Sequence, residues 1–165
     1  MKSKGNKYRA EVININDNTI VRYEDLREQC FAIRVPRKKD YNYLCDLDVN
    51  ETYIYILTGH FVDKKGRDMC GVYVGQASSR EKSNTILMRI VEHVVDKGWE
   101  AIWDNAIVLY RVKRYDEAEL NYLENAVYNL LIGNDKCVVW NDVRPRKGHP
   151  DDEKKDLLDE DIECW

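Results

Sequence analysis

The sequence predicts an α+β domain. Three observations predict it: an antiparallel hairpin near the middle of the chain, a later strand of continuous apolar residues, and two stretches whose apolar residues recur at helical spacing. The chain has 165 residues, 44% of them hydrophobic and 34% charged. That length and balance suit one globular domain with a real core.

The hairpin organises the rest. Thr52-Tyr53-Ile54-Tyr55-Ile56-Leu57 and Gly71-Val72-Tyr73-Val74-Gly75 are β-branched and aromatic runs. They flank the polar, glycine-containing loop Asp63-Lys64-Lys65-Gly66-Arg67-Asp68. Such runs around such a loop read as paired antiparallel strands. A plain sheet face explains the tyrosines equally well at this point.

Composition narrows the function classes. No apolar run approaches the roughly 20 residues needed to span a bilayer. The basic start, Met1 to Lys7, has no apolar core behind it and does not read as a signal peptide. Five scattered cysteines, Cys30, Cys45, Cys70, Cys137 and Cys164, form no Cys-x-x-Cys pair. They argue against a zinc site and against a secreted disulfide scaffold, so a cytoplasmic location is expected. The formal charge of −4 is uneven. Residues 151–165 hold eight acids against two lysines, so they carry −6 and leave the rest at +2. An acidic end of this kind is expected to be a solvated, mobile appendage.

Taken in order, Tyr8 to Ile15 and Thr19 to Val21 read as strands around Asn16-Asp17-Asn18. Tyr23 to Cys30 reads as a short helix or a loop. Phe31 to Lys39 contains a proline that discourages a helix, and its Arg34, Arg37, Lys38 and Lys39 are the densest basic cluster in the chain. They are candidate nucleic-acid contacts, although most such clusters are only solvated surface. After the hairpin, Ser83 or Asn84 caps a helix on which Ile86, Leu87, Ile90, Val91, Val94 and Val95 share a face. Arg89 and His93 project together from another side of it. Ala106 to Val112 then reads as a buried strand. Asp116 or Glu117 opens a second helix with the stripe Leu120, Leu123, Val127, Leu130 and Leu131, ended by Gly133-Asn134. Glu124 falls inside that stripe. Burying an unpaired carboxylate costs several kcal/mol, roughly, so Glu124 calls for a cation, an arginine or a metal. Cys137 to Asn141 closes the pattern as a strand.

These residues, in this order, resemble a known family. Strands carrying Tyr53-Ile54-Tyr55 and Tyr73-Val74-Gly75 precede a helix with Arg89 and His93, then a helix with Leu123-Glu124, then Asn141 after an apolar strand. The set looks like the GIY-YIG nuclease domain of excinucleases, homing endonucleases and some restriction enzymes, over about residues 52–142. The resemblance implies a small central antiparallel sheet flanked by helices. It also implies metal-dependent cleavage of phosphodiester bonds in DNA, with RNA left open. The chain is then divided into an N-terminal extension, 1–50, packing on or beside the core; the nuclease-like domain, 51–145; and the acidic tail, 146–165.

Residue by residue, Glu124 is similar to the carboxylate that holds Mg²⁺ or Mn²⁺, and Arg89 to the arginine that neutralises the scissile phosphate. Tyr55 and Tyr73 match the two tyrosines, one of which orients or deprotonates the attacking water. Tyr55 is taken as the water-facing one. His93 stands where the family has His or Tyr, and Asn141 matches a late asparagine expected to be a structural polar anchor. Three departures stand out: Tyr53 replaces the first glycine, Gln76 follows the second motif, and the Gly75 to Arg89 connection is long.

The chemistry suits that division. Phosphodiester hydrolysis needs charge stabilised on the phosphate and a water aligned opposite the leaving oxygen. A guanidinium offers a charged fork to the phosphate oxygens. A tyrosine with its free pKa of about 10 needs neighbouring cations to act as a base, or else it only positions water. The second function class is a catalytically silent nucleic-acid-binding module on the same scaffold.

Overall fold

The computed structural model describes residues 8–15, 18–25, 30–37, 52–78, 103–133 and 137–164. β1 (Tyr8–Ile15), β2 (Asn18–Asp25) and β3 (Cys30–Pro36) come first. The hairpin follows as β4 (Thr52–Val62) and β5 (Asp68–Ser78). Then come β6 (Trp103–Arg111), α1 (Glu117–Ile132), β7 (Cys137–Val139) and α2 (Asp152–Cys164). The α+β class expected from the sequence is what the chain adopts.

The strands form one seven-stranded sheet in the order β1, β2, β3, β6, β4, β5, β7. All neighbours are antiparallel except β5 and β7, which run parallel. The sheet is larger than the small one expected. The reason lies in β6, whose Ala106, Val108, Leu109 and Tyr110 are buried and which has a partner on each edge. One edge takes β4. The other takes β3, and so joins β1 to β3 to the same sheet. Of the stretch Tyr23 to Cys30, read as a short helix or a loop, Tyr23 to Asp25 belong to β2 and Cys30 opens β3, while residues 26–29 lie outside the described residues. The hairpin strands run on to Val62 and back from Asp68. Gly66, at φ 76°, supplies the left-handed residue of their turn, and the Asp63 carboxylate accepts from the backbone N–H of Lys65 and Arg67 at 2.8 and 2.9 Å.

Period-2 alternation divides the hairpin between two faces. Ile54, Val74 and Leu109 face a cluster with Leu120, Leu123, Val127 and Tyr128 of α1 and Leu158 of α2. Tyr53, Tyr55, Leu57 and Val108 point to the opposite face, where they are also buried. α1 starts with a capping box: Glu119 N–H donates to Asp116 Oδ1 at 2.9 Å, and Asp116 N–H donates to Glu119 Oε2 at 2.6 Å.

The acidic C-terminus is not a mobile appendage. It forms α2, and Leu158 and Asp161 are each only 1% exposed. Asp161 accepts hydrogen bonds from Cys30 Sγ at 2.7 Å and Tyr115 Oη at 3.1 Å, with Arg111 Nη1 at 3.4 Å. This carboxylate is burying its charge among three partners from the sheet and the β6–α1 loop, as a buried charge must. Lys154 ties the start of the same helix to Asp116 at 2.6 Å, and Asp159 accepts from Tyr122 Oη at 2.6 Å. Burial and the adjacent Asp161 charge push the Tyr115 hydroxyl well above the ordinary tyrosine range.

Candidate active site

The two motif strands are direct neighbours, and the register brings their tyrosines together. Tyr55 pairs with Gly75 and Leu57 with Tyr73, so Tyr55 and Tyr73 share a face one step apart. Their ring centroids lie 6.1 Å apart. Tyr53 opposes Ala77, and its ring lies 6.3 Å from that of Tyr55. Each large ring of β4 thus faces a small residue of β5. Gly75 shows why: a β-carbon at that position would overlap the Tyr55 ring around Cζ and Oη. The glycine of the second motif is the seat of the tyrosine of the first.

Tyr55 is fully buried, whereas Tyr73 is half-buried. The assignment of Tyr55 as the water-facing tyrosine therefore fits the burial less well than the reverse. Tyr73 is the ring nearer the surface, and Tyr55 packs beside it.

Asn141 holds the open edge of β5 at this point. Its Nδ2 donates to Val74 carbonyl at 2.8 Å, and its Oδ1 accepts from Val74 N–H at 3.0 Å. The amide side chain thus imitates a strand peptide one step beyond the ladder of β7, continued by Trp140 N–H to Val72 carbonyl at 2.7 Å. Trp140 lies on Gly71, where a β-carbon would overlap its indole. Together these contacts fix the strand that carries Tyr73.

Glu124 stands on α1, half-buried. Burial pushes its carboxyl up to about 7, because a carboxylate removed from water resists ionisation. Among the described residues it has no hydrogen-bond or ion-pair partner. On the helical wheel it lies between the core stripe and Asn121, whose Oδ1 accepts from Gln76 Nε2 of β5 at 2.8 Å. Glu124 therefore sits on the flank of α1 that faces β5. α1 covers the face opposite the tyrosines, so the structure brings Tyr55 and Tyr73 together but does not bring Glu124 onto their face of the sheet.

Arg89, His93, Lys38 and Lys39 lie outside the described residues. Arg34 and Arg37 are both exposed. Arg34 pairs with Ile107 across the sheet and its Nε donates to Asn105 Oδ1 at 3.1 Å. It borders an apolar groove with Tyr23, Ile56 and Leu130, on the α1 face and away from the tyrosines. Arg37 Nη1 donates to Trp103 carbonyl at 3.4 Å. The structure thus separates Arg34 from the candidate centre.

Sequence reasoning missed two features. The docking of α2 had a visible signal, since Leu158 and Ile162 are one helical turn apart within the acidic run. The seating of Tyr55 on Gly75 had only the strand register to reveal it. Among the described residues, no three or more His, Cys, Asp or Glu side chains group as a metal site, and no helix is long and apolar enough to cross a membrane. Compared with family models, curated proteins and solved structures, the chain matches none.

Proposed function

We propose that this chain is a metal-dependent endonuclease of the GIY-YIG type, hydrolysing phosphodiester bonds in DNA. The observation that carries the reading is the paired motif itself: Tyr55 and Tyr73 on adjacent strands, 6.1 Å apart, with Tyr55 seated on Gly75. Gly75 leaves the room that the Tyr55 ring fills, and the Asn141 amide closes the edge beside Tyr73; both support the motif reading.

Glu124 suits a divalent cation. It is a carboxylate largely withdrawn from water, with no protein cation beside it among the described residues, and its raised pKa falls once a positive ion arrives. A single carboxylate leaves most of the coordination sphere of Mg²⁺ or Mn²⁺ to water and phosphate. Bound there, the ion supplies stabilisation of the charge that develops on the phosphate. In this reading the chain's own groups do the rest. Tyr73 orients the attacking water from the half-exposed position. Tyr55 packs against Tyr73 and fixes its ring. Asn141 keeps β5 in register, and Arg89 and His93 serve the phosphate and the proton.

The reading is tested by incubating the purified protein with supercoiled, linear and branched DNA, in Mg²⁺, Mn²⁺ or EDTA. Nicking that requires the metal supports it. Salt-sensitive DNA binding with no cleavage in either metal would favour a silent binding module on the same scaffold.

A further inference from the structure

The chain carries a second cationic feature, apart from the basic cluster at Arg34 to Lys39. Between β7 and α2 the segment Arg144-Pro145-Arg146-Lys147-Gly148-His149 has no helix or strand, yet it is held against α1 at several points. Arg144 Nη2 donates to Asn129 Oδ1 at 2.7 Å, and Asn125 Nδ2 donates to Pro145 carbonyl at 3.0 Å. Gly148 lies so close to α1 that a β-carbon would overlap the Ala118 carbonyl and the Tyr122 backbone. Between these pins stand Arg146 and Lys147, both exposed. Neither has an ion pair or hydrogen bond among the described residues. The nearest downstream acid, Asp151, is occupied at the start of α2, where it accepts from Lys154 N–H at 2.9 Å.

The position adds to the charge. The segment follows three residues after Asn141, which grips Val74 between Tyr73 and Gly75. Arg146 is five residue steps beyond Asn141, so the backbone between them spans at most about 17 Å. The contacts of Arg144, Pro145 and Gly148 with Asn129, Asn125 and Tyr122 hold the two cations along the outside of α1, the helix that carries Glu124.

We propose that Arg144–His149 is a preformed strap that binds the phosphate backbone of duplex DNA beside the candidate active site, with Arg146 and Lys147 as its contacts. The proposal rests on the endonuclease reading and adds to it the surface that positions the substrate. Such contacts fix register and carry no sequence information.

The test is the salt dependence of binding to a fluorescent DNA duplex, followed by anisotropy in EDTA, so that no cleavage is required. Each phosphate contact contributes about 0.9 to the slope of log K against log salt. Arg146→Gln/Lys147→Gln is expected to lower that slope by about 1.8. Lys64→Gln/Lys65→Gln removes the same charge from the exposed β4–β5 turn and is expected to keep the wild-type slope. Should the first variant not fold, Lys147→Gln alone is expected to lower the slope by about 0.9. An unchanged slope in the strap variant, or equal losses in both double variants, would overturn the strap and leave the nuclease reading standing. No salt-dependent duplex binding by the wild type would overturn both.

Discussion

Replacing Glu124 by glutamine tests whether this carboxyl is withdrawn from water. Burial raises its pKa from 4.5 to about 7 in the folded protein. The folded state therefore binds more protons than the unfolded state between those two values. Stability contributed at this position is fully present below about pH 4.5 and is lost as pH rises through 7. A shift of that size corresponds to about 3 kcal/mol at 1.36 kcal/mol per unit. Glutamine keeps the shape and cannot ionise. In EDTA, urea unfolding of the wild type should lose about 3 kcal/mol between pH 4.5 and pH 8 relative to Glu124→Gln. The two proteins should be close in stability at the acid end. Adding Mg²⁺ or Mn²⁺ at pH 8 should stabilise the wild type alone, by about 2.7 kcal/mol at a hundred times the dissociation constant. Parallel pH profiles for the two proteins would refute the reasoning, because the carboxylate would then be as well solvated in the fold as in the unfolded chain.

Four further outcomes follow from the same geometry. Gly75→Ala forces the Tyr55 ring aside and should cost about 1–3 kcal/mol in urea unfolding, with loss of cleavage wherever the wild type cleaves. Asn141→Ala removes both bonds to Val74 and should cost about 1–3 kcal/mol, read by the same titration. Leu158→Ala should cost about 2–5 kcal/mol, and removal of residues 151–165 should abolish cooperative thermal unfolding; a solvated acidic tail would leave both unchanged. Tyr73→Phe should lower the cleavage rate about a hundredfold or more, the scale of a lost acid–base or water-orienting group. Tyr55→Phe should lower it less, and the opposite ranking would restore Tyr55 as the water-facing residue.

The sequence made the local elements legible wherever one physical signal dominated. Apolar runs beside a glycine turn marked β4 and β5, and the continuous run from Ala106 marked β6 as buried. Asp116 and Gly133 marked both ends of α1 through capping chemistry. Long-range pairing was not legible. Nothing local in Cys30 to Pro36 says that it pairs with β6, because a strand's partner is set by the whole sheet. The C-terminal helix was hidden by its charge: eight acids outweighed the spacing of Leu158 and Ile162, and Asp161 looked solvated although three distant residues engage it. At the candidate site, the residue types in order were legible and their faces were not. Only the register shows Tyr55 on Gly75, and only the packing of α1 on Ile54 and Val74 shows that the helix of Glu124 covers the other side of the sheet.

The central claim is that Glu124 holds the metal for phosphodiester cleavage. The most direct measurement is the rate of nicking of supercoiled DNA in Mn²⁺ by the wild type and by Glu124→Ala, with DNA binding by both measured in EDTA. Nicking by the wild type alone is expected, with comparable binding by the two proteins. Equal nicking rates would contradict it, since cleavage would then proceed without the carboxylate on which the site is built.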